Sequence, residues 1–315
     1  MELLNFFAAA SESALIVLRD GNVTPITPIH KPAFRLTTSL ASKTRMKSRH
    51  MKDFVLTITF VLLSNLSFAE EVISIQARQN VTVPVLFVES NAPSTVAIIM
   101  LAGNLAGGAG AFFSVSPDDG SIKKSRSFLL RTVDQFADRG FSVAVMNPPS
   151  DKNNRMSDDY RTSKEHVEDV SKIIGVLNDK GFEAIYLIST SRGTFSASYL
   201  GAKLKNKSVK GVILTSTNVN LVKRTPIGDI EYPVLFVHHK DDGCKACQYR
   251  DALALSKKLE RSPRVDFISV EGGNEPKSGP CETLSAHGFF GIETRVVDAI
   301  SNWISDRQKE SIKQK

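Results

Sequence analysis

Residues 186–197 read YLISTSRGTFSA, an apolar run that breaks into Ser-Thr-Ser-Arg-Gly and then resumes with small residues. Ser191, at the centre, admits two readings. It is a nucleophile lifted on a sharp turn, or a small residue that a tight turn tolerates. A small-x-Ser-x-small pattern does not decide between them, because the motif has meaning only between a strand and a helix. Here the upstream EAIYLIS is strand-like, and the downstream TFSASYLGAKLKN continues as a helix beginning near Thr194. The context is strand, turn, helix, and it recurs along the chain.

Upstream, VISIQA and VTVPVLFVES form an opening pair of strands, rich in the Val, Thr and Phe that suit a pleated half-buried surface. VAIIMLAG is a continuous apolar run ending in glycine, as in a strand buried on both faces. After a glycine-rich loop, SFLLRTVDQFADRG has apolar residues at helical spacing and Gly140 as its C-cap, which predicts one helix. Strand FSVAVMN, helix SKEHVEDVSKIIGVLNDKG, strands VKGVILTS, PVLFVHH and RVDFISVEG, helix YRDALALSKKLE and a closing amphipathic ETRVVDAISNWISDRQ complete the alternation. Strands that alternate with helices of this length predict an α/β fold, a mostly parallel twisted sheet with helices on both faces. No internal repeat, second core or long linker interrupts residues 70–315, which read as one domain.

The N-terminal region reads differently. From Met51, MKDFVLTITFVLLSNLSFAEE presents a basic n-region at Lys52, an apolar h-region from Phe54 to Leu66 and a small-x-small site at Ser67-Phe68-Ala69. Residues 51–69 are therefore expected to be a signal peptide, and residues 1–50 an unstructured upstream extension or the product of a misassigned start, with Met51 or Met46 the true one. The apolar run falls short of the about 20 residues that a membrane span needs, so no stable membrane insertion is expected after cleavage. No cysteine follows the cleavage site to carry a lipid anchor. The expected location is the periplasm or the exterior. The formal charge of +7 shrinks to +3 without residues 1–69, which carry eight Lys/Arg and four Asp/Glu. With no basic block interleaved with aromatics, a nucleic-acid partner is not expected.

A serine nucleophile needs a base, and the base needs an orienting carboxylate. PVLFVHHKDDGC offers the carboxylate at a strand end: Asp242, with Asp241 its rival. SAHGFFGIE offers the base, His287, on the loop before the last helix. His238 and His239 read as structural neighbours, and His166 as a solvated residue on an amphipathic helix. Over Val72–Arg307 the order Ser, Asp, His, together with TSRGT, VHHKDD and CETLSAHGF, resembles the serine α/β-hydrolases, in particular small exported bacterial hydrolases of esterase type. Ser189 departs from that pattern, standing where glycine is usual. The resemblance implies the α/β-hydrolase fold and Ser191, Asp242 and His287 as catalytic residues. It also implies an oxyanion hole from the backbone N–H of Arg192 and that of Asn104 or Gly103. NVNLVKRTPIGDIEY is short where a lid would be inserted, so no large lid domain is expected. The expected substrate is a small acyl compound, a carboxylic ester before a thioester or peptide, with no cofactor and no metal required. LAGNLAGGAG lacks the G-x-G-x-x-G spacing of a dinucleotide site. Arg192, Lys223 and Arg224 could attract an acidic substrate or simply be solvated. A non-catalytic binding protein on a hydrolase scaffold remains the competing class.

Three cysteines, Cys244, Cys247 and Cys281, leave one thiol unpaired. If the acid and base loops meet above the sheet, a Cys244–Cys281 disulfide would tie them together, with Cys247–Cys281 as second choice. The CKAC stretch also invites a thiol-redox or zinc reading, the latter in want of a fourth ligand.

Overall fold

The computed structural model describes residues 70–103 and 111–313, so the expected extension and signal peptide lie outside the described residues. Ten strands and eight α-helices follow in chain order among the described residues. β1 (Glu70–Arg78) and β2 (Val81–Val88) form a hairpin, and β3 (Val96–Leu101) follows. A small separate hairpin, β4 (Phe113–Val115) and β5 (Ile122–Lys124), precedes α1 (Phe128–Arg131), α2 (Val133–Ala137) and β6 (Ser142–Met146). Next come α3 (Asp158–Arg161), α4 (Lys164–Asp179), β7 (Ala184–Thr190), α5 (Gly193–Lys203) and β8 (Val209–Thr215). α6 (Val219–Val222), β9 (Val234–His239), α7 (Tyr249–Ser256), β10 (Val265–Val270) and α8 (Glu293–Lys313) complete the chain.

Eight strands make one sheet in the order β1-β2-β6-β3-β7-β8-β9-β10. β2 is antiparallel to both β1 and β6, and every pairing from β6 through to β10 is parallel. Every residue of β6, β7 and β9 is buried, which is why those strands read as unbroken apolar runs. The helices group into two sets. α2 packs on α1 and α8, whereas α3, α4, α6 and their neighbour α5 pack on one another, with α7 against α6. The edges are less covered: β10 is half-buried along most of its length.

Two expectations need correction. The single helix expected over 127–140 is two short ones, broken at Thr132. That residue returns its hydroxyl to the Phe128 carbonyl at 2.9 Å, and its backbone leaves the helical region at φ −116°, ψ 6°. α5 starts at Gly193, in accord with the expected start near Thr194. His166 is not solvated: it is completely buried, and burial lowers its pKa to about 3. The buried stripe of α4 is His166, Asp169, Val170, Ile173, Ile174 and Leu177, and His166 falls one turn before Val170 on that same face. The β4–β5 hairpin was not foreseen, since three-residue strands around a polar turn carry almost no periodic signal.

Between β8 and β9 the chain forms only α6 and a 3-10 turn at Ile227–Asp229, with no helical cap among the described residues.

Candidate active site

Ser191 occupies the turn between β7 and α5 with φ +52°, a left-handed conformation that L-residues rarely adopt. Such strain costs about 1–3 kcal/mol and persists only where the surroundings enforce it. They do so here. The Ser191 N–H donates to the Thr215 carbonyl at 3.1 Å, and the Ser191 carbonyl accepts the N–H of Thr194 at 3.0 Å and its hydroxyl at 2.6 Å. Gly193 is required by closeness, because a Cβ there would collide with the Leu101 carbonyl of β3. Ser189 is accommodated because its hydroxyl turns sideways and donates to the Ile213 carbonyl at 3.0 Å, while Thr215 donates back to Ser189 at 2.9 Å. A serine thus fits where a bare Cα is usual.

Asp242 and His287 come from two loops at the same end of the sheet. Asp242 lies just past β9 and is buried, whereas the Asp241 side chain is 78% exposed, which separates the two candidate acids. His287 lies in a 3-10 turn, Ala286–Gly288, between β10 and α8. Its Nδ1 is 2.9 Å from Asp242 Oδ2 and 3.2 Å from Oδ1. Against a carboxylate, Nδ1 carries the proton, which leaves the Nε2 lone pair free. Nε2 is buried and has no hydrogen-bond partner among the described residues, so no Ser191–His287 hydrogen bond is formed in this structure.

The base loop is held from several sides. Ser216 donates to the His287 carbonyl at 2.6 Å, immediately after Thr215 has received the Ser191 N–H. Arg131 reaches across from the end of α1 to the carbonyls of Thr283 and Gly288, at 3.1 and 2.8 Å, and to Glu293 at 2.8 Å. Phe289 packs edge-on to Phe128, with ring centroids 4.9 Å apart. Cys281 is disulfide-bonded to Cys244, the pairing preferred from the sequence.

Of the expected oxyanion residues, Arg192 and Gly103 are adjacent: a Cβ built on Gly103 would lie 3.2 Å from both the Arg192 nitrogen and Ser191 Cβ. Asn104 lies outside the described residues. The Arg192 side chain is not available to attract substrate, since it forms a two-point ion pair with Asp158 at 2.8 and 2.7 Å. Arg224 leans over the Phe195 ring at 5.4 Å, and Lys223 is exposed.

Two residues have settings beside the site that the sequence did not show. Arg161 is fully buried and donates to Ser196 Oγ, to the Met156 carbonyl and, at 3.2 Å, to the carbonyl of Ala102, next to Gly103. Burial lowers its pKa to about 10. Nothing in DDYRTS marks such a position, because a buried arginine interrupts no pattern. Cys247 is the other. Its thiol is completely buried, and its Sγ, Cys244 Sγ and a His287 ring nitrogen all lie within 4.8 Å of one another. Burial pushes the thiol pKa up, Asp242 adds to that, and the nearby Ser191 hydroxyl works in the opposite direction.

The neighbouring histidines are structural. His238 Nε2 accepts the Thr217 N–H at 2.7 Å, its ring stacks on Phe267, and burial lowers its pKa to about 4. His239 accepts the Asp241 N–H at Nδ1, so its Nε2 donates to the Gly272 carbonyl at 2.7 Å.

No helix among the described residues is long and apolar enough to cross a membrane. No family model matches the sequence, and no curated protein matches it either. Solved structures do match. An α/β serine hydrolase homologue from Coxiella burnetii aligns over 76% of this chain and 99% of its own, at 15% identity and TM-score 0.53. An esterase of Pyrococcus furiosus aligns over 76% and 92% at 13% identity and TM-score 0.50. A dienelactone hydrolase from Anabaena variabilis aligns over 76% and 98% at 11% identity and TM-score 0.52. At these identities the likeness is one of architecture, and together with the strand order it gives this chain the α/β-hydrolase fold.

Proposed function

We propose that the protein is a serine hydrolase that cleaves a carboxylic ester of a small acyl substrate through an acyl-enzyme. The observation that carries this reading is the buried Asp242–His287 pair, with the unpaired Nε2 lone pair at the same strand ends as the strained Ser191 turn. In the reaction, Ser191 Oγ attacks the carbonyl carbon and passes its proton to His287 Nε2. Asp242 stabilises the imidazolium, and Nε2 then returns the proton to the leaving alcohol. The oxyanion develops beside the Arg192 N–H and the Gly103 backbone, at the N-terminal end of α5, where a negative charge is favoured. Water repeats the sequence to release the acid. A Ser191–His287 hydrogen bond forms in the substrate complex, as is usual for catalytic contacts that are loose without ligand. The disulfide supports a periplasmic or secreted location, where such bonds persist.

The test is active-site labelling. Purified protein is treated with a fluorophosphonate, the adduct is located by mass spectrometry, and esters, thioesters and peptides are then compared as substrates. Labelling at Ser191, lost in Ser191→Ala, is expected. A folded, disulfide-intact protein that stays unlabelled would rule the reading out and leave a binding role on the scaffold.

A further inference from the structure

Cys247 takes no part in the reaction proposed above, yet it lies between its residues. Its neighbours decide what it can do. Within 4.8 Å are Cys244 Sγ and a His287 ring nitrogen. His287 is 96% buried by its 4% exposure, and its Nε2 is without a partner. Two sulfurs and an imidazole are the donor set of a soft divalent cation, and a separation within 4.8 Å leaves about 1 Å at most to close around one. Zinc bonds of about 2.3 Å to sulfur and about 2.0 Å to nitrogen place tetrahedral ligand atoms roughly 3.5–3.8 Å apart. The shell behind the ligands also matches. Asp242 accepts from Nδ1 of His287 at 2.9 Å, the carboxylate–histidine arrangement that orients a zinc-binding imidazole. One obstacle is covalent: Cys244 Sγ is tied to Cys281, and a disulfide sulfur is a poor ligand.

The two half-cystines differ in exposure. Cys281 is exposed, whereas Cys244 is 3% exposed. An external thiolate therefore approaches from the Cys281 side. It forms a mixed disulfide there, and the electron pair of the broken S–S bond leaves on Cys244, inside the site. A second external thiol frees Cys281 and completes a two-electron reduction. We propose that opening the Cys244–Cys281 disulfide creates a Zn²⁺ site from Cys244, Cys247 and His287, with Ser191 Oγ or water as fourth ligand. Binding displaces the Cys247 proton, so the buried thiol becomes a ligand as the metal arrives. The ion takes the Nε2 lone pair of His287 that the reaction proposed above uses as base, so the same device silences hydrolysis. That last consequence, and only that one, rests on the proposed function.

The experiment uses purified protein, oxidised or reduced with a phosphine, titrated with Zn²⁺ against a chromophoric chelator and with Co²⁺ by absorbance. Reduced protein is expected to bind one Zn²⁺ about 100-fold more tightly than oxidised protein and to show the thiolate-to-cobalt charge-transfer band. Cys281→Ser, which leaves Cys244 permanently free, is expected to bind without reductant. Cys247→Ser is expected to lose the band, with circular dichroism reporting that each variant is folded. Fluorophosphonate labelling of the reduced protein should fall with Zn²⁺ and return with chelator. A folded Cys281→Ser that binds no more tightly than oxidised protein, or a Cys247→Ser with an unchanged cobalt spectrum, would overturn the site. A cobalt band in a protein that never labels at Ser191 would instead uphold the site and reject the hydrolase reading.

Discussion

The backbone N–H of Cys244 donates to Asp242 Oδ1 at 2.9 Å, so the carboxylate facing His287 is oriented by the residue whose sulfur anchors the base loop. One turn of chain fixes both the acid and the loop that carries its partner. Asp242→Asn keeps the shape but offers an amide donor to Nδ1, which favours the wrong imidazole tautomer. kcat should fall about 10⁴-fold, with KM little changed. Asp241→Asn, on an exposed side chain, should change neither constant; equal losses in steady-state assays would remove Asp242 from its assigned role.

Gly193→Ala tests the turn itself. The added methyl collides with the Leu101 carbonyl, which lies on the strand leading to Gly103. Relieving the collision pushes α5 from β3 and separates the Arg192 N–H from Gly103. A destabilisation of about 1–3 kcal/mol is expected, as for other overpacked core positions, together with loss of fluorophosphonate labelling. Urea titration and labelling of the same sample check both, and a variant with native midpoint and labelling would contradict the packing account.

The acid side of the stability profile follows from two buried histidines. Burial lowers His166 to about 3 and His238 to about 4, from an ordinary value of 6.5. As pH falls below 6.5 the unfolded chain binds protons that the native state refuses, so stability present above 6.5 is lost on acidification. Each residue contributes up to about 1.4 kcal/mol per pH unit until its folded pKa is reached. Both ring nitrogens of His166 lack partners among the described residues, so His166→Phe forfeits no hydrogen bond there. It should leave pH 7 stability intact and recover about 2–3 kcal/mol of the loss at pH 4.5. Urea midpoints at the two pH values decide; parallel acid slopes for wild type and variant would refute the assignment.

Arg131 offers a test of loop positioning without touching Ser191, Asp242 or His287. Its three contacts hold the loop on both sides of His287. Arg131→Met retains the aliphatic stem and removes the donors. Since hydrogen bonds from charged groups contribute about 1.5–3 kcal/mol, discounted here because the side chain is one-fifth exposed, a loss of about 1–2 kcal/mol is expected. kcat should fall while KM changes little, because His287 is less well placed. Thermal denaturation and kinetics measure the two effects; an unchanged kcat would assign Arg131 to stability alone.

The legible parts of the sequence were those in which one physical signal dominates. β6, β7 and β9 are buried on both faces and therefore read as apolar runs; Ser191 and Asp242 lie just past the ends of β7 and β9, where the sequence placed them, whereas His287 lies on the loop after β10. What escaped was set by tertiary contact. The break at Thr132 depends on a hydroxyl choosing a carbonyl within its own helix, which periodicity does not register. His166 carries a polar name on an apolar stripe, and composition outweighed position in its reading. Arg161 acquires its importance from residues far along the chain, so no local pattern points to it, and the CKAC spacing that singled out Cys247 did not show its place beside His287.

The Cys244–Cys281 bond spans 37 positions and closes a covalent ring that contains all of α7 and the edge strand β10. A pull applied at the C-terminus therefore passes from Cys281 directly to Cys244 and on into β9, in the interior of the sheet, bypassing the edge. Under oxidising conditions β10 is shielded from being peeled away under tension, and a single proteolytic cut between residues 245 and 280 leaves one molecule rather than two fragments. Mechanical resistance is thus concentrated in β9, the strand that leads to Asp242.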